Sequence, residues 1–192
     1  MKNNFLLAGI SFICGIIITA AVMYFIPAKT ETKTDKLSDM TSGVADTKAQ
    51  ILFSTSETED YYFPTHGNSL IMDRSNAEVA ESFIVNIAPG RYTHRHVHHD
   101  TEQVFYVLSG KGRVDLEREG NMEKFDIEPK NLVFIPRHSY HQIYSTGVDT
   151  LHYIAVDCFP LGKNPKEPTW DSHVQVMCKD MDWNYSTVRT RH

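Results

Sequence analysis

The sequence has few cysteines and no excess of basic residues. Its 192 residues include three cysteines, and no two of them form a CxxC pair, which excludes a disulfide scaffold and a thiolate zinc site. Lysine and arginine number 19 against 24 aspartates and glutamates, a formal net charge of −5. Because nucleic-acid-binding proteins need a basic face to neutralise phosphates, this balance excludes nucleic acid as the main partner. The 41% of hydrophobic residues excludes a disordered chain and predicts a packed core.

Charged side chains are also missing from residues 5–26, a run of 22 residues. About 20 apolar residues span a bilayer core, so residues 1–26 are predicted to form a transmembrane anchor. A cleaved signal peptide is the alternative, with the small residues 19–21 as its cleavage site. The polar residues 27–50 are predicted to form a flexible linker. Residues 51–192 then form the globular domain, which we expect to be held at the membrane on its extracytoplasmic side.

The globular part has no long amphipathic helical pattern, and short apolar or alternating runs recur in it between turn residues. These runs predict an all-β domain, either a sandwich or a barrel. The predicted strands are Glu81–Ala88, Gln103–Leu108, Gly112–Leu116, Leu132–Ile135, His141–Tyr144 and Leu151–Cys158, with a further one in the tail at His173–Cys178. Residues 104–108 and 132–135 are apolar at both parities, so both faces of these strands are expected to be covered.

Histidine is abundant: seven of the ten histidines lie between His94 and His152. Imidazole is the commonest metal ligand in proteins. His96 and His98 are two residues apart, so in an extended strand both side chains leave the same face, with Cα atoms about 6.6 Å apart. Both rings could reach one ion at about 2.0–2.1 Å, and a closed barrel could bring His141 to the same ion. A chance pair of surface histidines is the alternative for the HxH pattern alone.

The residues around these histidines resemble the cupin superfamily. Gly90 is followed after five residues by the His-Val-His of 96–98 and then by the run Gln103–Gly110, as in the first cupin motif. The stretch Pro136–His141 corresponds to the second motif. The resemblance covers residues 89–147. It implies a cupin-type double-stranded β-helix, a small jelly-roll barrel with a metal ion inside.

Three positions depart from the second motif. Lys130 and His138 stand where the motif has glycine, and Ser145 stands where it has asparagine. Glycine is the usual residue at left-handed turn positions, so these changes weaken the turn signatures. They remove no metal ligand.

The fourth ligand depends on how the first motif is counted. Counting forward from His98 gives Glu102, whereas counting back from Gly110 gives Gln103. An undistorted strand cannot direct both side chains inward. We favour Gln103, because the strand and turn after it match the motif without a gap, and Glu102 stays the alternative. The predicted ligands are therefore His96, His98, Gln103 and His141.

The identity of this ligand sets the charge of the site. Three neutral imidazoles with Gln103 leave a divalent ion at +2, whereas Glu102 would reduce the charge to +1. A +2 site polarises substrate oxygens more strongly and favours anionic ligands. Mixed nitrogen and oxygen ligands suit Fe, Mn, Zn or Ni alike. Weaker candidates for acid–base catalysis beside the metal are Glu102, Tyr106 and His152.

Two classes of function fit this sequence. The resemblance implies a metal-dependent enzyme of the dioxygenase, isomerase or lyase type that acts on a small oxygen-bearing substrate, and we favour this class. The alternative is a non-catalytic module that binds or senses a metal or small ligand at the membrane. Cupins host both classes, so the fold alone does not decide between them. The resemblance also implies a homodimer.

Overall fold

The computed structural model describes residues 49–189, and in this range the chain forms two β-sheets and two helices. The strands are β1 Glu59–Tyr62, β2 Gly67–Met72, β3 Ala80–Ile87, β4 Glu102–Ser109, β5 Gly112–Arg118, β6 Asn121–Ile127, β7 Leu132–Ile135, β8 Tyr140–Ser145 and β9 Leu151–Cys158; the helices are α1 Trp170–Asp180 and α2 Tyr185–Val188. The six-stranded sheet has the order β1-β2-β3-β9-β4-β7, and the three-stranded sheet has the order β6-β5-β8. All these pairings are antiparallel.

The all-β prediction is confirmed for the barrel. Each of the six strands predicted between residues 81 and 158 is present, and β1, β2 and β6 are additional. The predicted anchor, residues 1–26, lies outside the described residues, as does nearly all of the predicted linker. No helix between residues 49 and 189 has the length and apolar character needed to cross a membrane.

The core lies between the two sheets and follows from strict alternation. In β3 and β9 every second residue is buried, including Phe83 and Val85 on β3 and Tyr153 on β9. Val114 on β5 and Ile143 on β8 face them from the smaller sheet. Because side chains alternate across a strand, one set of residues builds the core and the other set faces outward.

The outer face of β4 and β7 is exposed, so the expectation that both faces would be covered is wrong. Tyr106 is 43% exposed, Leu132 65% and Phe134 52%. Both-sided burial is the rule for parallel sheets flanked by helices, whereas an antiparallel sheet is commonly solvated on one face. Apolar side chains on both faces of β4 and β7 therefore do not mean that another part of the described chain covers the outer face.

The segment after β9, residues 159–189, is called the tail below. It forms the helix α1 where the sequence predicted a strand for His173–Cys178, so that prediction is wrong. Residues 173–176 alternate between polar and apolar, which resembles a strand, but the buried side chains are Trp170, Val174 and Cys178. Their spacing of four residues places them on one helical face. Thr169 caps the helix by accepting a hydrogen bond from the backbone N–H of Ser172 at 3.1 Å, which fixes where the helix begins.

Turn residues of both motifs have positive, left-handed φ angles, whether or not they are glycines. Gly110 has φ +80°, and a Cβ added there would lie 2.5 Å from the carbonyl oxygen of Thr150. Lys130 and His138, which replace the glycines of the second motif, have φ +76° and +62°. A left-handed residue other than glycine costs about 1–2 kcal/mol, so the surrounding β-structure holds these turns in place.

A buried ion pair joins the loop after β2 to the six-stranded sheet. Arg74 donates from Nε to one carboxylate oxygen of Glu81 at 2.8 Å and from Nη2 to the other at 2.7 Å. The two side chains are 4% and 0% exposed. The guanidinium also lies 5.2 Å from the ring centre of Phe159 and 5.9 Å from that of Trp170. Arg74 therefore contacts both the six-stranded sheet and the segment that follows β9.

Replacing Arg74 with alanine is expected to lower the free energy of unfolding by about 3–5 kcal/mol, because Glu81 would remain buried without its partner. Urea denaturation followed by tryptophan fluorescence measures the loss. Arg118→Ala is the matched control, since Arg118 pairs with Glu123 at the surface and such pairs contribute about 0–1 kcal/mol. Equal losses in the two variants would contradict this assignment.

Candidate metal centre

A backbone bridge pairs His96, the first histidine of the HxH pattern, with His141 on β8. The N–H of His96 donates to the carbonyl of His141 at 3.1 Å, and the N–H of His141 donates to the carbonyl of His96 at 2.9 Å. This bridge is antiparallel and lies outside the named strand pairs. Residues 45 positions apart in sequence are thus placed opposite each other, with side chains on the same face.

The three imidazoles of His96, His98 and His141, called the triad below, converge inside the barrel. The ring centres of His96 and His141 are 4.2 Å apart, those of His96 and His98 4.9 Å, and those of His98 and His141 5.5 Å. One ligand nitrogen from each ring lies within 4.8 Å of the other two. Such a spacing suits a single shared ion.

Hydrogen bonds to backbone carbonyls orient two of these rings. Nδ1 of His96 lies 2.7 Å from the carbonyl oxygen of His94, and Nδ1 of His141 lies 3.1 Å from that of Ser139. Each ring therefore presents Nε2 as its remaining nitrogen. Metal-bound histidines characteristically use the second ring nitrogen in this way, which fixes the tautomer and the ring direction.

Gln103, the predicted fourth ligand, lies on β4. Its side chain is buried, and Nε2 donates to Oδ1 of Asp157 at 2.9 Å. Asp157 is its cross-strand partner on β9, and Glu81 is the next partner on β3. Because Asp157 accepts from the amide nitrogen, the amide oxygen is directed away from it. Oε1 of Gln103 then has no hydrogen-bond partner among the described residues.

Burial keeps the triad neutral. Removal from solvent lowers the pKa of His141 to about 3 and the pKa of His98 well below its usual range, and it also lowers the pKa of His96. A neutral imidazole has a free lone pair, which is the form that binds a metal. Burial raises the pKa of Asp157 well above its ordinary value, and the nearby Glu81 raises it further.

The residues fit a divalent ion. Nε2 of His98, Nε2 of His141 and Oε1 of Gln103 are all buried and lack hydrogen-bond partners within residues 49–189. Buried polar atoms are rarely left unpaired, and a cation among the three rings of the triad would satisfy the two imidazole nitrogens. Three nitrogens and one amide oxygen suit Fe, Mn, Zn or Ni. His96, His98, His141 and Gln103 would hold the ion.

A cavity of about 570 Å³ opens from the triad. Apolar side chains from the strands line it, among them Phe83, Val85, Phe105, Ile143 and Tyr153. Trp170, Met177 and Trp183 from the tail line it as well. The cavity is large enough for a small molecule beside the ion.

The structure places the three acid–base candidates of the sequence away from this cavity. Glu102 precedes Gln103 on β4 and points to the other face, opposite Cys158. Tyr106 lies on the exposed outer face, and His152 contacts Oδ1 of Asn86 on the outer side of β3 and β9 at 2.6 Å. None of the three lines the cavity, because each has the outward parity of its strand.

Several cavity residues were not found by sequence reasoning. The sequence pattern predicts only a strand position for Asp157 and no role for His66, Glu167 and His173, although all four line the cavity. Asp157 occupies an inward position of an alternating strand, where a charged residue is unusual. That signal could have been noticed. The tail residues carried no comparable signal.

Comparisons with known proteins agree with this geometry. Residues 83–157 match the family model of the cupin domain. Two curated relatives are similar over short stretches. An uncharacterised protein of Methanocaldococcus jannaschii is 31% identical over 70 residues, 36% of this chain and 53% of that protein. A glucose-6-phosphate isomerase of Thermococcus gammatolerans is 31% identical over 64 residues, 33% of this chain and 34% of that enzyme. The chain thus spans about half or less of their length.

Solved structures show the same fold. The oxalate decarboxylase of Lactobacillus farciminis, in its formate complex, is 17% identical with a TM-score of 0.55, covering 79% of this chain and 47% of that one. A variant oxalate decarboxylase of Bacillus subtilis is 16% identical with a TM-score of 0.52, covering 70% and 37%. Residues 83–157 are therefore similar to a cupin domain, and this part of the chain has an all-β fold with a histidine cluster suited to a divalent metal.

Proposed function

We propose that this protein is a metal-dependent enzyme that acts on a small, anionic, oxygen-bearing molecule. The observation that carries the proposal is the convergence of three neutral imidazoles at the cavity, whose lining also holds the unpaired amide oxygen of Gln103. Neutral ligands leave the full +2 charge of a divalent ion, which would attract an anion and polarise its oxygen atoms.

The related proteins support this class of ligand. Oxalate, formate and glucose 6-phosphate, the molecules that appear in their names, are all small oxygen-bearing anions. The oxalate decarboxylase of Bacillus subtilis has Mn(II) centres.

The chain supplies the surroundings that such a reaction needs. When bound, the ion would provide a Lewis acid for a carbonyl or carboxylate oxygen. The triad and Gln103 would fix the position of the ion, while Phe83, Phe105 and Ile143 give the cavity an apolar lining. An apolar wall lowers the local dielectric and strengthens the attraction between a cation and a bound anion.

A non-catalytic role is the second candidate, favoured by one observation. Glu102, Tyr106 and His152, the acid–base groups expected from the sequence, all lie outside the cavity. If no other group replaces them, the domain would bind a metal-held ligand without converting it. Its attachment to a membrane through residues 1–26, and a homodimeric assembly, stay predictions.

The full chain is expected to contain about one divalent metal ion per molecule, as measured by elemental mass spectrometry. After loading with Zn²⁺, it should bind oxalate at least about tenfold more tightly than the metal-free chain does, a difference of about 1.4 kcal/mol. Oxamide is the matched control, since it has the same shape without charge. Equal affinities of the loaded and metal-free chains for oxalate would contradict the proposed function.

A further inference from the structure

The tail carries a histidine–carboxylate pair beside the cavity. Nδ1 of His173, on α1, lies 2.6 Å from Oε2 of Glu167 in the preceding loop. The other carboxylate oxygen of Glu167 accepts a hydrogen bond from Nδ2 of Asn164, also at 2.6 Å. The hydrogen bond with His173 is the main reason why the pKa of Glu167 is lowered. Glu167 is thus a carboxylate held in place to orient an imidazole.

The barrel fixes the position of this pair. Arg74 donates from Nη1 to the backbone carbonyl of Glu167 at 3.4 Å, and the same nitrogen lies 3.7 Å from the carboxylate. Arg74 is itself anchored by the buried Glu81. The ring of Trp170 lies 5.4 Å from that of His173, centre to centre. The loop before α1 is therefore attached to the same sheet that supplies Gln103.

The pair faces the same space as the triad. Glu167 and His173 both line the cavity in which His96, His98 and Gln103 lie. Burial is the main cause of the lowered pKa of His96 and of His98, and a positive charge on His173, when it is protonated, would lower the pKa of both further. No group in the described part of the chain forms a hydrogen bond with Nε2 of His173, so this nitrogen is free for a ligand.

We propose that His173 is the proton acceptor and donor for a ligand bound at the triad and that Glu167 is its positioning residue. This inference rests on the proposed function and narrows it. A C–H or O–H bond of the ligand breaks, its proton forms a bond with Nε2 of His173, and the electron pair stays on the ligand. The imidazolium returns the proton to another atom of the same ligand. No electrons are lost and no group leaves, so the reaction class is isomerisation.

Acetohydroxamic acid tests this role, because it loses its N–OH proton when it binds a metal ion as the hydroxamate. Isothermal titration calorimetry of the Zn²⁺-loaded full chain, in buffers of different ionisation enthalpy, measures the number of protons released to solvent. His173 should capture the proton in the native protein, so release is expected to be near zero. In His173→Gln release should rise to about one proton per bound hydroxamate. A merely structural role for His173 would not change this number.

Two further variants make the result specific. Glu167→Gln keeps the shape of the pair but removes the charge that stabilises the imidazolium, so an intermediate release is expected. His152→Gln, on the outer side of the sheet, should release as little as the native chain. Equal release from the native chain and His173→Gln would overturn the role of His173 while leaving the metal site intact. Failure of the loaded native chain to bind acetohydroxamate would instead contradict the proposed function and, with it, this inference.

Discussion

Replacing His141 with alanine is expected to weaken Zn²⁺ binding by more than about 100-fold, since loss of an outer-shell partner alone costs about 10–100-fold. His141 is 1% exposed, and its Nε2 has no partner among the described residues. Its removal leaves two imidazoles and an amide oxygen, too few to hold the ion tightly. Competition with a chromophoric chelator measures the affinity.

The same variant should lose its stabilisation by metal. Binding at a free concentration of 100 times Kd raises the free energy of unfolding by about 2.7 kcal/mol. We expect this gain in the native chain and in the control His152→Ala, whose imidazole lies on the outer side of the sheet. A His141→Ala chain that Zn²⁺ still stabilises to the native extent would show that His141 is not a ligand.

Gln103→Glu is expected to weaken Zn²⁺ binding by about 10–100-fold, although a carboxylate is ordinarily a good ligand. The new carboxylate would face Asp157, which now accepts a hydrogen bond from Nε2 of Gln103 at 2.9 Å. Asp157 in turn lies beside Glu81 in the cross-strand register. Three carboxylates would then share a buried row, and Arg74 pairs with one of them, Glu81. Like charges at this distance cannot all be ionised in a buried site.

The double variant Gln103→Glu/Asp157→Asn should restore binding. An asparagine amide can donate to the new carboxylate, which recreates the hydrogen bond with its direction reversed. A double-mutant cycle on Zn²⁺ affinity is expected to show a coupling of about 1–3 kcal/mol between the two positions. Additive effects would indicate that Asp157 does not orient residue 103. Glu102→Gln tests the alternative ligand, and a greater loss of affinity there than in Gln103→Ala would reverse the assignment.

Sequence reasoning predicted the strands that build the barrel because their patterns come from burial on one face. β3 and β9 alternate along their whole length, and turn residues separate them from their neighbours. β6 was missed because its residues are mostly exposed and partly charged, so the strand is held by pairing with β5 rather than by an apolar face. In the tail, the cap at Thr169 and the four-residue spacing outweighed the local alternation.

The site was predictable only where its residues are close in sequence or lie in motifs. His96 and His98 share a face because of their spacing, whereas their contact with His141 needs the closed barrel. The pairing of Gln103 with Asp157 joins residues 54 positions apart and depends on strand order. The position of His173 depends on a helix that was not predicted and on its attachment through Arg74. Such contacts carry no local sequence signal.

The tail supplies Trp170, Met177 and Trp183 to the lining of the cavity, whereas the triad comes from β8 and from the segment between β3 and β4. The stretch that matches the family model ends at residue 157, before these tail residues. Substitutions at residues 170–183 would therefore change which molecules the cavity admits and leave the triad unchanged. Selectivity and metal chemistry can then diverge independently.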